Sequence, residues 1–465
     1  ASDVYKRQIS VGATVTLVAS GAEVTLLANG QLSYNPVGGL GAGNTDTDAF
    51  EYTVSDGKGG TDTGAVDITI NGSDFPPAVA NGQVWVFDAG QQLVAVYGPI
   101  GGTAPGGVPY FGNLTPINAA VDSLTGPNHT VVVGAGSFTT GGVPIDIDQN
   151  GTKVLGNQFD VDPRAAAGLR SLGGADESIV DGANGTQVFR IRADDVELNG
   201  FDMRNTVADL VTTDGVGGNS GAIISYNIAS DAGDDGLVLY KHTGGLIDHN
   251  LVFGTNDGIN VVGSNGGTND PIEGFNNTVS NNEVSGGWDN GGIYAYGSSN
   301  TTITGNYVHD YAGDSGIIIG IRRGFGNPNQ DGGTVSNNIV ENSGENGIDV
   351  FQSDVVVSGN TITGSKGWAI SIGIDYNNES HGNPKPDNVT IQDNTFGNNH
   401  QVRPVGIGGG NTPADGPVRV VAGATTIVID NNTLEGTAAG NTLFGTVGDD
   451  IIIGMDGDDT MSGGT

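Results

Sequence analysis

Basic side chains are scarce in this chain, yet the stretch DDGLVLYKHTGGLIDHN, residues 234–250, sets Lys241 and His242 beside Tyr240 at the end of a strand-like run. These are residue types that move protons. A lysine or histidine acts as a base when its pKa lies near the working pH, which for lysine means a drop from about 10.4 to roughly 7–8. Between residues 205 and 365 the only Lys or Arg side chains are Lys241, Arg322 and Arg323, and all three follow the same kind of run. An arginine close to the lysine lowers its pKa and clamps a carboxylate with its planar fork. Base, phenolic acid and clamp together suit β-elimination or C5 epimerisation of a uronate sugar. The clamp neutralises the carboxylate, the base takes the C5 proton, and the acid protonates O4 or returns a proton to the other face. Hydrolysis is the competing chemistry and needs paired carboxylates. Asp234, Asp235, Asp257, Asp289, Asp314 and Asp349 are all candidates, and no pair among them stands out.

The elements that must position these residues repeat. One family of runs reads DGLVLY (235–240), DGINVV (257–262), GGIYAY (291–296), SGIIIG (315–320), NGIDVF (346–351) and AISIG (369–373). A second includes GLIDHN (245–250), TVSNNEV (278–284), TITGNYV (302–308), TVSNNIV (334–340), VVVSGNTI (355–362) and VTIQDNTF (389–396). Gly236 and Gly258 are 22 residues apart, and Gly292 and Gly316 are 24 apart. A period of this size with strand-length apolar runs predicts a β-solenoid, whose coils bury their faces by stacking. Alternation turns Leu237, Leu239, Ile259, Val261, Ile317, Ile319, Ile348 and Val350 inward. Asn250, Asn282, Asn306, Asn338, Asn360 and Asn394 hold one turn position and predict an asparagine ladder.

The outward positions are not dictated by packing. The first outward file is Val238, Asn260, Tyr294, Ile318, Asp349 and Ser371, and the second is Tyr240, Val262, Tyr296, Gly320 and Phe351. Coils stack about 4.8 Å apart, so the strand ends form one surface. The candidate catalytic residues are therefore Lys241, His242, Tyr240 and Arg322. The candidate substrate-binding residues are Arg323, Tyr294, Tyr296, Asn260, Asp349 and Gln352. Aromatic platforms, with Phe351 and Trp288 added, and a few cations suit an extended acidic polysaccharide. The structural alternative is that the cations offset nearby carboxylates and the aromatics pack under inserted loops.

The 465 residues carry a net charge of −36, which argues against a nucleic-acid partner. The acidity suits calcium, which takes carboxylate oxygens. There are no cysteines, hence no disulfides or thiol chemistry. No run of 18 apolar residues spans a membrane. The expected class is all-β throughout. Residues 1–8, ASDVYKRQ, read as a non-native leader. Residues 9–72 hold short alternating runs separated by Gly, Asn and Asp turns, 73–112 a Gly/Pro-rich linker with a strand or two, and 113–435 the solenoid, opened by a short helix around NAAVDSL. Residues 436–465 contain GTVGDDIII (445–453) and GMDGDDTMS (454–462), and the chain reads as a fragment of a longer one.

Several of these segments resemble known families. GQLSYNP…DAFEYTVSDGKGGTDTGAVDITI is similar to the end of bacterial cadherin-like, Ig-type sandwich repeats, which serve as spacers in secreted or surface proteins. Residues 113–435 resemble the right-handed parallel β-helices that include mannuronan C5-epimerases, β-helical alginate and pectate lyases, and NosD-like proteins. The two nonapeptides match G-G-x-G-x-D-x-U-x apart from its second Gly and resemble the start of a calcium β-roll of RTX type, with Asp450 and Asp459 at the liganding position. The epimerases' Asp-Pro-His run is absent, and its nearest counterpart is Tyr240-Lys241-His242. The resemblance implies a secreted or cell-surface bacterial protein, monomeric, with calcium in the β-roll and a second calcium at the β-helix surface. It acts on a uronate polysaccharide such as alginate or pectate as a lyase or epimerase, or else serves as a non-catalytic adhesin or matrix protein.

Overall fold

The computed structural model describes residues 78–320, 331–373 and 386–397, with gaps at 165–167, 214–217, 264–273 and 289–290. It also describes 14–16, 23–26, 32–35, 45–55, 58, 60–71, 418–420, 425–430, 432–435, 442–444, 451–453 and 460–462. The chain divides into two units, Ala1–Ala78 and Val79–Thr465. In the first, Thr14–Thr16, Glu23–Leu26 and Leu32–Asn35 form an antiparallel sheet, and Thr45–Ser55 pairs antiparallel with Thr61–Asn71. Val24 is buried against Tyr34 and Phe50, and the Tyr34 hydroxyl donates to Asp48 Oδ2 at 2.9 Å.

The second unit is a parallel β-helix. Each coil contributes one strand to each of three sheets, which contain fourteen, twelve and ten strands among the described residues. A representative coil runs through Leu246–Asp248 in the first sheet, Leu251–Phe253 in the second and Ile259–Val262 in the third. The inward side chains of all three sheets form one continuous core, with Leu237, Leu239, Ile259, Val261, Ile317, Ile319, Ile348 and Val350 fully buried. The coil is long in sequence but contributes little hydrophobic area alone, so stability comes from neighbour on neighbour.

The turn between the first and second sheets carries the expected ladder. The Asn282 main-chain N–H and side-chain Nδ2 both donate to Asn306 Oδ1, at 2.9 and 3.0 Å, and Asn306 does the same to Asn338. The ladder extends beyond the six expected members to Asn227 at one end and Asn432 at the other. Every rung is buried, and each amide replaces hydrogen bonds that a corner in the chain leaves unmade.

The short helix is present as Pro116–Asp122, with Pro at its first position, where the missing N–H costs nothing. Ile117, Ala120 and Val121 lie on one helical face and join the core. The segment expected to be a linker differs. Val84–Phe87 pairs antiparallel with the first coil strand, Thr130–Val133, and Leu93–Gly98 and Tyr110–Gly112 continue that sheet. Gly90, Gly101, Gly102, Pro99 and Pro105 lie between these strands, while Val84, Val86, Val96 and Tyr97 are buried. No helix among the described residues is long and apolar enough to cross a membrane.

Candidate functional site

The third sheet sets the two outward files in register. Val238 pairs with Asn260, Asn260 with Tyr294, Tyr294 with Ile318, Ile318 with Asp349, and Asp349 with Ser371. Beside them Tyr240, Val262, Tyr296 and Gly320 form the second file. These side chains point away from the core, yet Val238, Asn260, Ile318, Asp349 and Ser371 are all at most 5% exposed. Outward apolar residues of the other two sheets stand in solvent, among them Ile223, Ile339 and Val356. The third face is thus recessed, with the tyrosines as its part-exposed members. The Tyr294 and Tyr296 rings lie 4.4 Å apart between centroids. Trp288 is exposed.

The Tyr240–Lys241–His242 run divides at Lys241. Thr213 Oγ1 and the Tyr240 main chain hydrogen-bond to each other and fix the strand end. Lys241 then takes a left-handed conformation, φ 49°, and remains half-buried, with its N–H donating to Val262 O. That turn rotates the next residue inward. His242 is fully buried, its Nε2 accepts from the Ala222 N–H at 2.8 Å, and its ring stands over Gly245, where a Cβ would come within 2.7 Å of it. Burial pulls its pKa down to about 4, only partly opposed by Asp194. The ring is therefore neutral, with its proton on Nδ1, which has no hydrogen-bond partner. This geometry gives His242 a core role rather than contact with a ligand at the surface.

Gln352 is also buried, and its Nε2 donates to Gly332 O at 2.7 Å. Asp349 receives 2.5 Å from Ser315 Oγ and 3.0 Å from Asn346 Nδ2. Arg322, Arg323, Asp450 and Asp459 lie outside the described residues. Among the described residues no group of three or more His, Asp or Glu side chains is placed to hold a metal ion.

A group that sequence reasoning did not single out lies at the start of the same strands. Asp209, Asp235 and Asp257 each stand two residues ahead of a paired inward residue, Val211, Leu237 and Ile259. They form a file of carboxyls on three successive coils. Asn260 Nδ2 donates to Asp235 Oδ2 at 2.6 Å and approaches Asp257 Oδ2 at 3.4 Å. The Tyr311 hydroxyl lies 3.4 Å from Asp257 Oδ1. Burial, with Asp257 and Asp209 adding repulsion, pushes Asp235 up to about 8 against the Asn260 hydrogen bond. Burial likewise raises Asp209 to about 6. Such coupled acids share protons, and the group carries less negative charge at neutral pH than its composition suggests. The signal available in the sequence was the common offset of two residues before the strand, hidden by the abundance of Asp.

The second sheet carries another cluster. Tyr307 and His309 stack at 4.2 Å, the Tyr307 hydroxyl donates to Glu341 at 2.8 Å, and His309 pairs with Glu283 and Asp310. The contacts run across neighbouring strands and fit a cross-strand ladder, although His309 Nε2, 3.5 Å from Glu283 Oε1, is buried without a hydrogen bond.

Comparison with known proteins gives the following. The family model for a Bacterial Ig domain matches residues 1–69, which includes the eight residues read as a leader. The model for a Right handed beta helix region matches residues 271–448, in accord with the stacked parallel sheets. No curated protein matches the sequence. Among solved structures, the A-module of a mannuronan C-5 epimerase from Azotobacter vinelandii is 14% identical, with a TM-score of 0.48 over 74% of this chain and 94% of that one. An alginate lyase from Paenibacillus sp. str. FPU-7 is 13% identical, TM-score 0.39, over 68% and 95%. A DFA-IIIase from Arthrobacter chlorophenolicus A6 is 17% identical, TM-score 0.35, over 66% and 83%. At these identities the likeness concerns the fold alone.

Proposed function

We propose that this chain is a polysaccharide-processing enzyme that holds an extended uronate polymer along the outward surface of the third sheet. One observation carries the reading: an outward face that is recessed, with Tyr240, Tyr294 and Tyr296 part-exposed along it and Lys241 at its rim. Tyr294 and Tyr296 on one strand, and Tyr240 two coils away in the file of Tyr296, offer sugar rings flat apolar area at low conformational cost. The raised pKa values of Asp209 and Asp235 lower the repulsion that an anionic glycan meets there. β-Elimination or C5 epimerisation is the reaction class, with Lys241 as base, Tyr240 or Tyr294 as acid, and Arg322 as carboxylate clamp.

The setting is extracellular and bacterial in this reading, with the chain monomeric. The Ig-type unit supports a spacer role. The strands Thr442–Phe444 and Thr460–Ser462 pair in parallel 18 residues apart, as do Thr433–Glu435 and Ile451–Ile453. Eighteen residues are two nonapeptides per coil, which supports a calcium β-roll with Asp450 and Asp459 as ligands. The test is incubation of the purified chain with alginate and with pectate, following unsaturated-uronate absorbance and product NMR. Formation of either unsaturated or epimerised uronate supports the reading, and inertness toward both polymers removes it.

A further inference from the structure

Trp288 and Lys241 stand at opposite edges of the third sheet. Trp288 lies in the turn that leads into Gly291–Tyr296, the strand whose outward residues include Tyr294 and Tyr296. Lys241 follows the end of Leu237–Tyr240, two coils earlier. Of the three tryptophans, Trp85 donates its Nε1 to Gln83 Oε1 at 2.8 Å and Trp368 is buried, whereas Trp288 is 57% exposed.

A single exposed apolar residue needs no explanation in itself. The turn beneath this one, however, is held from both sides. The Trp288 N–H donates to Asn256 O of the preceding coil at 3.3 Å, and the Ala312 N–H of the following coil donates to Gly287 O at 3.0 Å. The buried Tyr311 ring fills the space beside Gly287, where a Cβ would come within 2.0 Å of it, and its hydroxyl donates to Asn256 O as well. The main chain of the turn is thus braced by its neighbours, while the indole faces solvent. Aromatic area fixed in advance binds a flat apolar partner at low conformational cost.

The two edges also differ in charge. The strand-end edge carries the Lys241 ammonium. The strand-start edge carries the carboxyls of Asp209, Asp235 and Asp257, which disfavour a sugar carboxylate beside them. A sugar bound there is held by its C–H face rather than by its charge.

We propose that Trp288 is a sugar-stacking subsite, and that the glycan crosses the third sheet obliquely, from Lys241 and Tyr240 over Tyr296 and Tyr294 to Trp288, instead of following the coil axis. The inference rests on the polysaccharide-processing reading above and adds to it a direction and a second kind of contact. The strand from Gly291 to Tyr296 is about 17 Å long, which leaves room for a short run of sugar rings. Recognition is divided along that run. Lys241 selects a uronate at one end, and Trp288 accepts a charged, esterified or neutral sugar at the other. A partly esterified or mixed uronate polymer fits this division.

The experiment uses the full chain with short oligomers of alginate and of pectate as probes, followed by calorimetry and tryptophan fluorescence. In the wild type, which needs no variant to fold, bound oligomer shifts the emission to the blue and shields it from acrylamide, because Trp288 is the exposed tryptophan. Trp288→Ala weakens binding about fivefold to tenfold, and Trp288→Phe recovers most of the loss. The Trp288→Ala factor is the same at low and high salt, whereas the loss in Lys241→Met shrinks as salt screens its charge. A merely structural role would lower the melting temperature without that pattern. Binding that leaves the emission unshifted, or that Trp288→Ala leaves at wild-type strength, overturns the subsite and the oblique path alone. A wild type that binds neither oligomer overturns the polysaccharide reading and the subsite with it.

Discussion

Asn260 Nδ2 lies 2.6 Å from Asp235 Oδ2 and 3.4 Å from Asp257 Oδ2, so a single amide spans carboxyls of two successive coils. Replacing that amide by a third carboxyl should be costly at neutral pH. We expect Asn260→Asp to unfold at lower temperature than the wild type at pH 8. The deficit should shrink as the pH is lowered toward 5 and the acids protonate. Calorimetry across that range checks it, and a deficit independent of pH would contradict the coupling.

Asp235 also shapes the alkaline side of stability. Its folded pKa, about 8, lies above the ordinary carboxylate value, so the folded state prefers the acid form. Its contribution is complete below the unfolded pKa and is lost as pH rises from about 4 through 8. Asp235→Asn should flatten the pH dependence in that window and raise the melting temperature at pH 8. Melting curves that stay parallel at all pH values would count against it.

His242 acts in the opposite direction. Burial holds its folded pKa near 4, below the unfolded value of about 6.5. Its contribution is present above 6.5 and is lost as pH falls through that range toward 4. His242→Phe should remove this acid sensitivity while costing about 1–3 kcal/mol, because the Ala222 N–H loses its buried acceptor. Denaturant unfolding at pH 5 and pH 7.5 separates the two effects.

Tyr294 and Tyr296 face outward and are only half-buried, so their loss should spare the fold. Tyr296→Ala is expected to raise KM about fivefold, a stacking energy of about 1 kcal/mol, with kcat within twofold, whereas Tyr294→Ala should lower kcat as well because Tyr294 is one of the two candidate acids. Steady-state kinetics on the processed polymer, with circular dichroism as the control, would show it.

The coil phase was legible because alternation and the strand glycines recur at 22 or 24 residues wherever no polar insert lengthens the coil, and that phase placed Asn260, Tyr294 and Asp349 on one file as observed. The ladder was legible because Asn has few other reasons to recur at one corner. His242 was not. Strand alternation would turn residues 238, 240 and 242 to one side, but the left-handed turn at Lys241 sends the ring into the core. Lys241 can take that turn because the Val262 carbonyl receives its N–H, a cross-coil contact that the sequence does not display. The Asp235–Asp257 pair was hidden for another reason. With 52 acidic residues, a carboxyl is informative only once its register and burial are known.

The most direct test of the central claim is a crystal structure of the chain soaked with a short oligouronate of whichever polymer it processes. The account predicts sugar rings along Tyr240, Tyr294 and Tyr296, with C5 of one uronate within reach of the Lys241 amino group. Oligosaccharide bound on either of the other two sheets, with the third face empty, would contradict it.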